Sequence, residues 1–167
     1  MDGPQSLMIV LVMGPTGSGK TTIGSLLAQG LGWAFADGDS FHSVTNIQKM
    51  SQGIPLNDAD RAPWLKAIHD AMVSWVAEGK NVVLACSALK RQYRDELYHG
   101  PEVRLVYLKG SYELILHRLE ARHGHFARES ILASQFAILE EPEDAVVVDV
   151  NGSPQEIVAE IRKRIGQ

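Results

Sequence analysis

A single α/β domain built on a parallel sheet is what this sequence predicts, and three observations carry that reading. Short apolar runs alternate with helix-length amphipathic stretches along the chain. The runs are continuously apolar, as strands covered on both faces are. Directly after the first run comes a glycine-rich turn, Gly14-Pro-Thr-Gly-Ser-Gly-Lys20-Thr21. The 167 residues suit one domain and are short for two, and no linker, repeat or low-complexity tract divides residues 1–167.

Five strands are expected: Leu7–Met13, Trp33–Ala36, Asn81–Cys86, Val103–Leu108 and Ala145–Val148. After the glycine-rich turn, Ile23, Leu26, Leu27 and Leu31 fall at helical spacing. Pro63–Glu78 gathers Trp64, Leu65, Ile68, Met72, Trp75 and Val76 on one helix face, and Gly79 ends the pattern. Tyr112–Arg122 also reads as a helix. The last helix opens at Ser153-Pro154-Gln155-Glu156, a serine cap, a first-turn proline and a reciprocal glutamate ahead of Ile157, Val158, Ile161 and Ile165. Repeated strand–helix units imply right-handed crossovers and a five-stranded parallel sheet between helical layers. Two polar segments interrupt the pattern, at about 40–61 and about 118–141. Ligands of open parallel sheets bind beyond the carboxyl ends of the strands, so these segments are expected to form a substrate-binding insertion and a lid.

The turn Gly14–Thr21 satisfies G-x-x-x-x-G-K-[ST], and the strand before it and helix after it supply the context of a phosphate loop. In that geometry the backbone N–H groups of Gly14, Pro15-Thr16, Gly17, Ser18, Gly19, Lys20, Thr21 and Thr22 surround a polyphosphate, proline lending only its place in the turn. Lys20 brings a point charge to the β- and γ-phosphates, and the Thr21 hydroxyl is a ready Mg²⁺ ligand. The implied ligand is a nucleoside triphosphate, ATP with Mg²⁺, on a phosphate-loop NTPase fold.

Asp37-Gly38-Asp39 follows the second strand. Two carboxylates one residue apart on an extended segment point to opposite sides and can serve different tasks. Asp39 is assigned to a substrate hydroxyl and Asp37 to the metal and its water shell. Asp-Gly is also a turn signal, which leaves a capping role open for the pair. The third strand ends in Cys86-Ser87, where many phosphate-loop proteins place a magnesium aspartate. Either the Ser87 hydroxyl helps or Asp37 supplies the carboxylate, so Thr21 and Asp37 form the expected metal set.

Several further stretches occur together: Asp37-Gly-Asp-Ser-Phe-His42, Asn46-Ile-Gln-Lys-Met50, Gly53-Ile-Pro-Leu-Asn-Asp58, Asp60-Arg61-Ala-Pro-Trp-Leu65, Ala85-Cys-Ser-Ala-Leu-Lys90, and Gly124-His-Phe126 with Ser134-Gln-Phe136. In this order, from about Met8 to Asp149, they resemble the gluconokinases of the thermoresistant type. The resemblance implies a three-layer fold like that of adenylate and shikimate kinases, Mg²⁺-ATP as donor, and D-gluconate as acceptor. It also implies 6-phospho-D-gluconate as product, a feed into the pentose phosphate pathway, and a homodimer.

A flexible polyol with a terminal carboxylate needs a cation, hydrogen-bonding groups and one carboxylate near its reacting hydroxyl. Arg61 offers a planar fork for a carboxylate, though its neighbours Asp58 and Asp60 equally suit a surface ion pair. His42, Asn46, Lys49, Ser87 and Gln135 are candidates to read hydroxyls, while Trp64 fits the apolar helix face. Arg118 and Arg122, four residues apart, share one helical face. In the resembling family such arginines contact adenine and the phosphates, which would make Arg122 catalytic beside Lys20 and Asp39. Ala127-Arg128 departs from the family, which often has methionine or another large residue after the phenylalanine.

A net charge of −4 gives no general reason to expect nucleic-acid binding. The lone Cys86 cannot form an internal disulfide, which points to a reducing cytoplasm. Leu7–Met13 is far too short to span a membrane and lacks the flanks of a signal peptide. Two other readings stand beside the gluconate kinase: a shikimate-kinase-like or other small-metabolite kinase, and a non-catalytic nucleotide-binding regulatory module. The intact set Lys20, Thr21 and Asp39 argues against the module, and Ser87-Ala88-Leu89 stands where shikimate kinases carry a glycine-rich turn.

Overall fold

The computed structural model describes residues 7–123 and 126–167, with the side chains of 122–128 outside the description. Five strands, β1 (Ile9–Met13), β2 (Ala34–Asp37), β3 (Val82–Ala85), β4 (Val103–Lys109) and β5 (Val146–Asp149), pair in the order β2-β3-β1-β4-β5. Every pairing is parallel. Helices α1 (Lys20–Leu31), α2 (Val44–Ser51), α3 (Asp58–Ala77), α4 (Arg91–Glu96), α5 (Tyr112–His123), α6 (Phe126–Ile138) and α7 (Pro154–Ile165) complete the chain.

Alternation along the strands divides the sheet's side chains between two cores. Ile9, Leu11 and Met13 of β1 join Leu84 and Tyr107 beneath Trp64, Leu65, Ile68 and Met72 of α3. Val10 and Val12 join Val83, Val106, Leu108 and Val148 against Ile23 and Leu27 of α1 and Ile157, Ile161 and Ile165 of α7. This two-sided burial is the reason the strands read as unbroken apolar runs. The expected three-layer α/β architecture and parallel five-stranded sheet are therefore observed. A smaller cluster of Ile115, Leu119 and Leu132, with Tyr112, Leu116 and Phe136, packs α5 on α6.

The third helix begins before the expected Pro63, at Asp58. Asn57 accepts from the Asp60 N–H at 2.7 Å while the Asp60 carboxylate accepts from the Asn57 N–H at 3.1 Å. This reciprocal cap fixes the start, and α3 tolerates Pro63 near its amino end, where the proline forfeits one intrahelical bond. Gly79 adopts a φ of 69° past the helix end, as its position suggested. The Ser153–Glu156 box is also formed, at 3.0 and 3.2 Å.

β1 lies at the middle of the sheet, so its carboxyl end delivers the phosphate loop to the centre of the upper edge. Beside it, the turn after β3 is clamped by Arg94. Its Nη1 donates to the carbonyls of Ala88 and Leu89 at 2.7 and 3.1 Å, and Nη2 donates to the Glu140 carbonyl at 2.9 Å. Ala88 itself sits at a φ of 46°, a conformation that needs outside support. Replacing Arg94 with Met should lower unfolding free energy by about 2–3 kcal/mol, because several carbonyls lose a charged donor. Urea denaturation followed by circular dichroism measures this.

Candidate active site

The phosphate loop ends at Gly19, which precedes α1 with a φ of 99° and places no side chain over the helix's first turn. The free N–H groups of that turn and the helix dipole together favour an anion. Gly17, at a φ of 79°, sits so near the α5 side chains that an added Cβ would lie 2.6 Å from Leu119 Cγ. The loop is thereby packed directly against the helix expected to begin the lid. Thr21 and Thr22 are exposed at the start of α1.

Lys20 keeps part of its area open to a cavity, yet its ammonium is closely surrounded by protein and donates to the Pro15 carbonyl at 3.0 Å. Burial pushes its pKa down, and the nearby carboxylates of Asp39 and Asp37 act in the opposite direction. The neighbouring Cys86 thiol is pushed up to about 12, chiefly by burial. It is thus a neutral side chain at physiological pH and no substitute for an aspartate after the third strand.

The two aspartates reach different surroundings by a route other than the expected one. Asp37 closes β2, but Gly38–Phe41 is a 3-10 turn and not an extended segment. The Asp37 carboxylate caps that turn, accepting from the Asp39 N–H at 2.9 Å through one oxygen. Its other oxygen accepts from the Thr21 hydroxyl at 3.2 Å. The turn directs Asp39 into the cavity beside Lys20 and leaves Asp37 on the Thr21 side. The capping role is formed by Asp37, and the two carboxylates lie on different sides of the turn. Gly38 allows the turn to pass close to β3, since a Cβ there would meet the Ala85 carbonyl at 2.7 Å.

A cavity of about 460 Å³ opens over the strand ends. Lys20 and Thr16 line one side, Asp39 and His42 another, and Arg61, Ser87 and Gln135 complete the polar wall. His42 stacks on Trp64, with ring centroids 4.3 Å apart and planes 11° from parallel. Trp64 is 2% exposed and donates to the Gly38 carbonyl at 2.8 Å. It thus serves core and cavity together, a double role that the apolar helix face concealed.

Arg61 is buried, which removes the surface ion-pair reading. Its Nη1 donates to the Leu56 carbonyl at 2.7 Å and the Tyr93 hydroxyl at 3.1 Å, and its guanidinium lies 5.2 Å from the Tyr93 ring centre. Tyr93 in turn donates to Asp58 at 2.5 Å. Among the described residues no partner engages the other Arg61 nitrogens, so the fork retains donors for a ligand in the cavity it lines. Nothing in the sequence marked Tyr93, which lies 32 residues from Arg61. Lys49 does not line this cavity. It pairs with Asp60 at 3.0 Å, on the capping residue of α3.

Helix α6 joins the two halves of the site. Gln135 accepts from the Thr16 N–H at 2.6 Å, and Ser130 donates to the Gly53 carbonyl at 2.9 Å. Ser134 and Ile131 of the same helix also line the cavity, although only Gln135 was singled out from the sequence. Arg118 is half-buried on α5 and is not part of the cavity wall. The Arg122 side chain, the Gly124-His-Phe126 motif, Ala127 and Arg128 lie outside the described residues.

Thr21 and Asp37 fit a magnesium ion. Both are oxygen donors, and their 3.2 Å contact puts them at one point on the phosphate-loop side. Among the described residues no group of three His, Cys, Asp or Glu side chains forms a metal cage. One carboxylate and one hydroxyl suit a hard ion that keeps its waters and shares a substrate's phosphates.

The family model described as shikimate kinase matches residues 16–166. A rat protein named probable gluconokinase is 45% identical, over 92% of this chain and 95% of its own length. Two solved structures superpose closely. A gluconokinase from Sinorhizobium meliloti 1021 gives a TM-score of 0.84 at 42% identity, covering 93% of this chain and 90% of its own. A sugar kinase from Janibacter sp. HTCC2649 gives 0.87 at 41%, covering 96% and 95%.

Two outcomes are expected from this geometry. Lys20→Met should weaken nucleoside triphosphate binding by at least about tenfold in calorimetry, with an unchanged circular dichroism spectrum, because the cavity loses its charge-assisted donor. Cys86, buried and protonated, should react with a thiol reagent at neutral pH only when the chain is unfolded by denaturant.

Proposed function

The chain belongs to the gluconokinase family, and on that premise we propose that it moves the γ-phosphoryl group of ATP to the primary hydroxyl of D-gluconate. The products are ADP and 6-phospho-D-gluconate. We further propose that residues 1–167 act as one kinase domain, with an insertion at about 40–61 and a lid at about 118–141. The same reading takes the enzyme to be Mg²⁺-dependent, homodimeric and cytoplasmic. No helix among the described residues is long and apolar enough to cross a membrane. The observation that carries the proposal is one cavity holding Lys20 and Asp39 together with Arg61, His42, Ser87 and Gln135.

In this reading the phosphate loop from Gly14 to Thr22 and Lys20 hold the triphosphate, with Arg118 and Arg122 contributing from α5. Asp39 accepts a hydrogen bond from the reacting hydroxyl and takes its proton as the oxygen attacks phosphorus. The bond from phosphorus to the bridging oxygen breaks, and Lys20 meets the charge that develops on the departing ADP. Arg61 receives the gluconate carboxylate on its remaining donors, while His42, Ser87 and Gln135 position the hydroxyl groups. Lys49 serves this site indirectly, by holding Asp60 and the start of α3. Magnesium, held by Thr21 and Asp37, would neutralise phosphate charge. Closure of α5 and α6 over the cavity keeps water from the γ-phosphate.

Coupled ADP release across aldonic acids, shikimate, nucleoside monophosphates and water tests the substrate. Gluconate should give the highest kcat/KM, and a preference for shikimate would reverse the assignment. ATP binding with no substrate-dependent ADP release would instead mark a regulatory module. Asp39→Asn should lower kcat by about 10²-fold or more while ATP affinity is retained. Near-normal turnover in that variant would remove Asp39 from proton transfer.

A further inference from the structure

His42 enters the substrate cavity with one ring nitrogen already committed. Its Nδ1 lies 3.3 Å from Asn46 Nδ2. The same Asn46 nitrogen is 2.9 Å from the backbone carbonyl of Asp60. A carbonyl only accepts, so the Asn46 atom facing it is the amide nitrogen, and the amide cannot be turned over without loss of that bond. Asn46 is 5% exposed, which makes the loss costly. Its second N–H then points at His42 Nδ1, which must present a lone pair. The proton of the neutral imidazole therefore resides on Nε2. Stacking on Trp64 holds the ring plane, and no described residue bonds Nε2.

We propose that Asn46 is a positioning residue that holds His42 in its Nε2–H tautomer, making the imidazole a fixed hydrogen-bond donor to a substrate oxygen. This specifies how the cavity reads a hydroxy acid, and it rests on the gluconate reading given above. An imidazolium is disfavoured because an Nδ1–H would face the Asn46 amide donors. The charged groups facing His42 are Asp39 on the 3-10 turn and Arg61 on α3, and Lys20 lines the same cavity. Burial lowers the His42 pKa, Asp39 opposes that and Arg61 adds to it. Burial and the Asn46 contact therefore both favour the neutral donor.

The direct test is ¹⁵N-edited NMR of the imidazole in the full chain without substrate. The expected spectrum shows His42 as the Nε2–H tautomer, titrating below its usual value of about 6.5. An Nδ1–H tautomer, or ordinary titration with rapid tautomer exchange, overturns the proposal. This readout needs no turnover, so it is independent of whether gluconate is the substrate. Asn46→Asp supplies the kinetic counterpart. A carboxylate there accepts from Nδ1–H, raises the imidazole pKa and leaves a lone pair on Nε2 once the ring is neutral. Gluconate KM should then rise by about fivefold or more between about pH 6 and 8, with kcat changed less than about threefold. Wild type should vary less than about twofold across that range. ATP KM and the melting temperature report whether the variant is intact; in an intact variant, a KM profile parallel to wild type overturns the proposal.

Discussion

The site is organised around a partly desolvated ammonium. Packing around Lys20 strips part of the water from its charge, and the protein returns the Pro15 carbonyl and the more distant carboxylates of Asp37 and Asp39. Such a group favours an arriving polyanion, which supplies the charge the interior lacks. The surroundings follow from that need. Gly19 leaves the first turn of α1 open to an anion, and the 3-10 turn after β2 sends Asp39 to the cavity that Lys20 lines while Asp37 stays bonded to Thr21. The absence of an aspartate after β3 is consistent with this arrangement. Cys86 fills that place as a neutral apolar neighbour, and Asp37 already supplies a carboxylate to Thr21.

Helix α6 links the phosphate loop to the segment after α2. Through Gln135 it occupies a phosphate-loop N–H, and through Ser130 it holds the loop after α2. Ile131 and Ser134 lie between those contacts and line the cavity. A displacement of this one helix therefore alters both ends of the site together. This is a physical basis for coupling the position of α6 to occupancy at either end of the cavity. The polar acceptor side is stiffened separately, by the chain of bonds from Leu56 and Tyr93 to Arg61 and from Tyr93 to Asp58.

The architecture was legible because its signals are local. Runs such as Val82–Ala85 announce parallel strands, and Ser153 with Glu156 announces a helix start. The phosphate loop was legible because its chemistry occupies eight adjacent positions, Gly14 to Thr21. Long-range partners were not. Tyr93 braces Arg61 from another helix, and Trp64 stacks on His42 while satisfying every rule for a core residue. Lys49 shows the reverse error. Its charge suggested a ligand, but Asp60, brought near by the capping box, had first claim on it. The extended geometry expected for Asp37-Gly38-Asp39 yielded to a turn because the Asp37 side chain captures the Asp39 N–H.

Regiochemistry tests the central claim most directly, because the site is read as placing a carboxylate at Arg61 and the reacting hydroxyl at Asp39. A single-turnover reaction of enzyme, Mg²⁺-ATP and gluconate, followed by ³¹P NMR, identifies which oxygen receives the phosphoryl group. The account predicts one phosphomonoester, on the primary hydroxyl farthest from the carboxylate. Phosphate on a secondary hydroxyl, or release of inorganic phosphate alone, would contradict it.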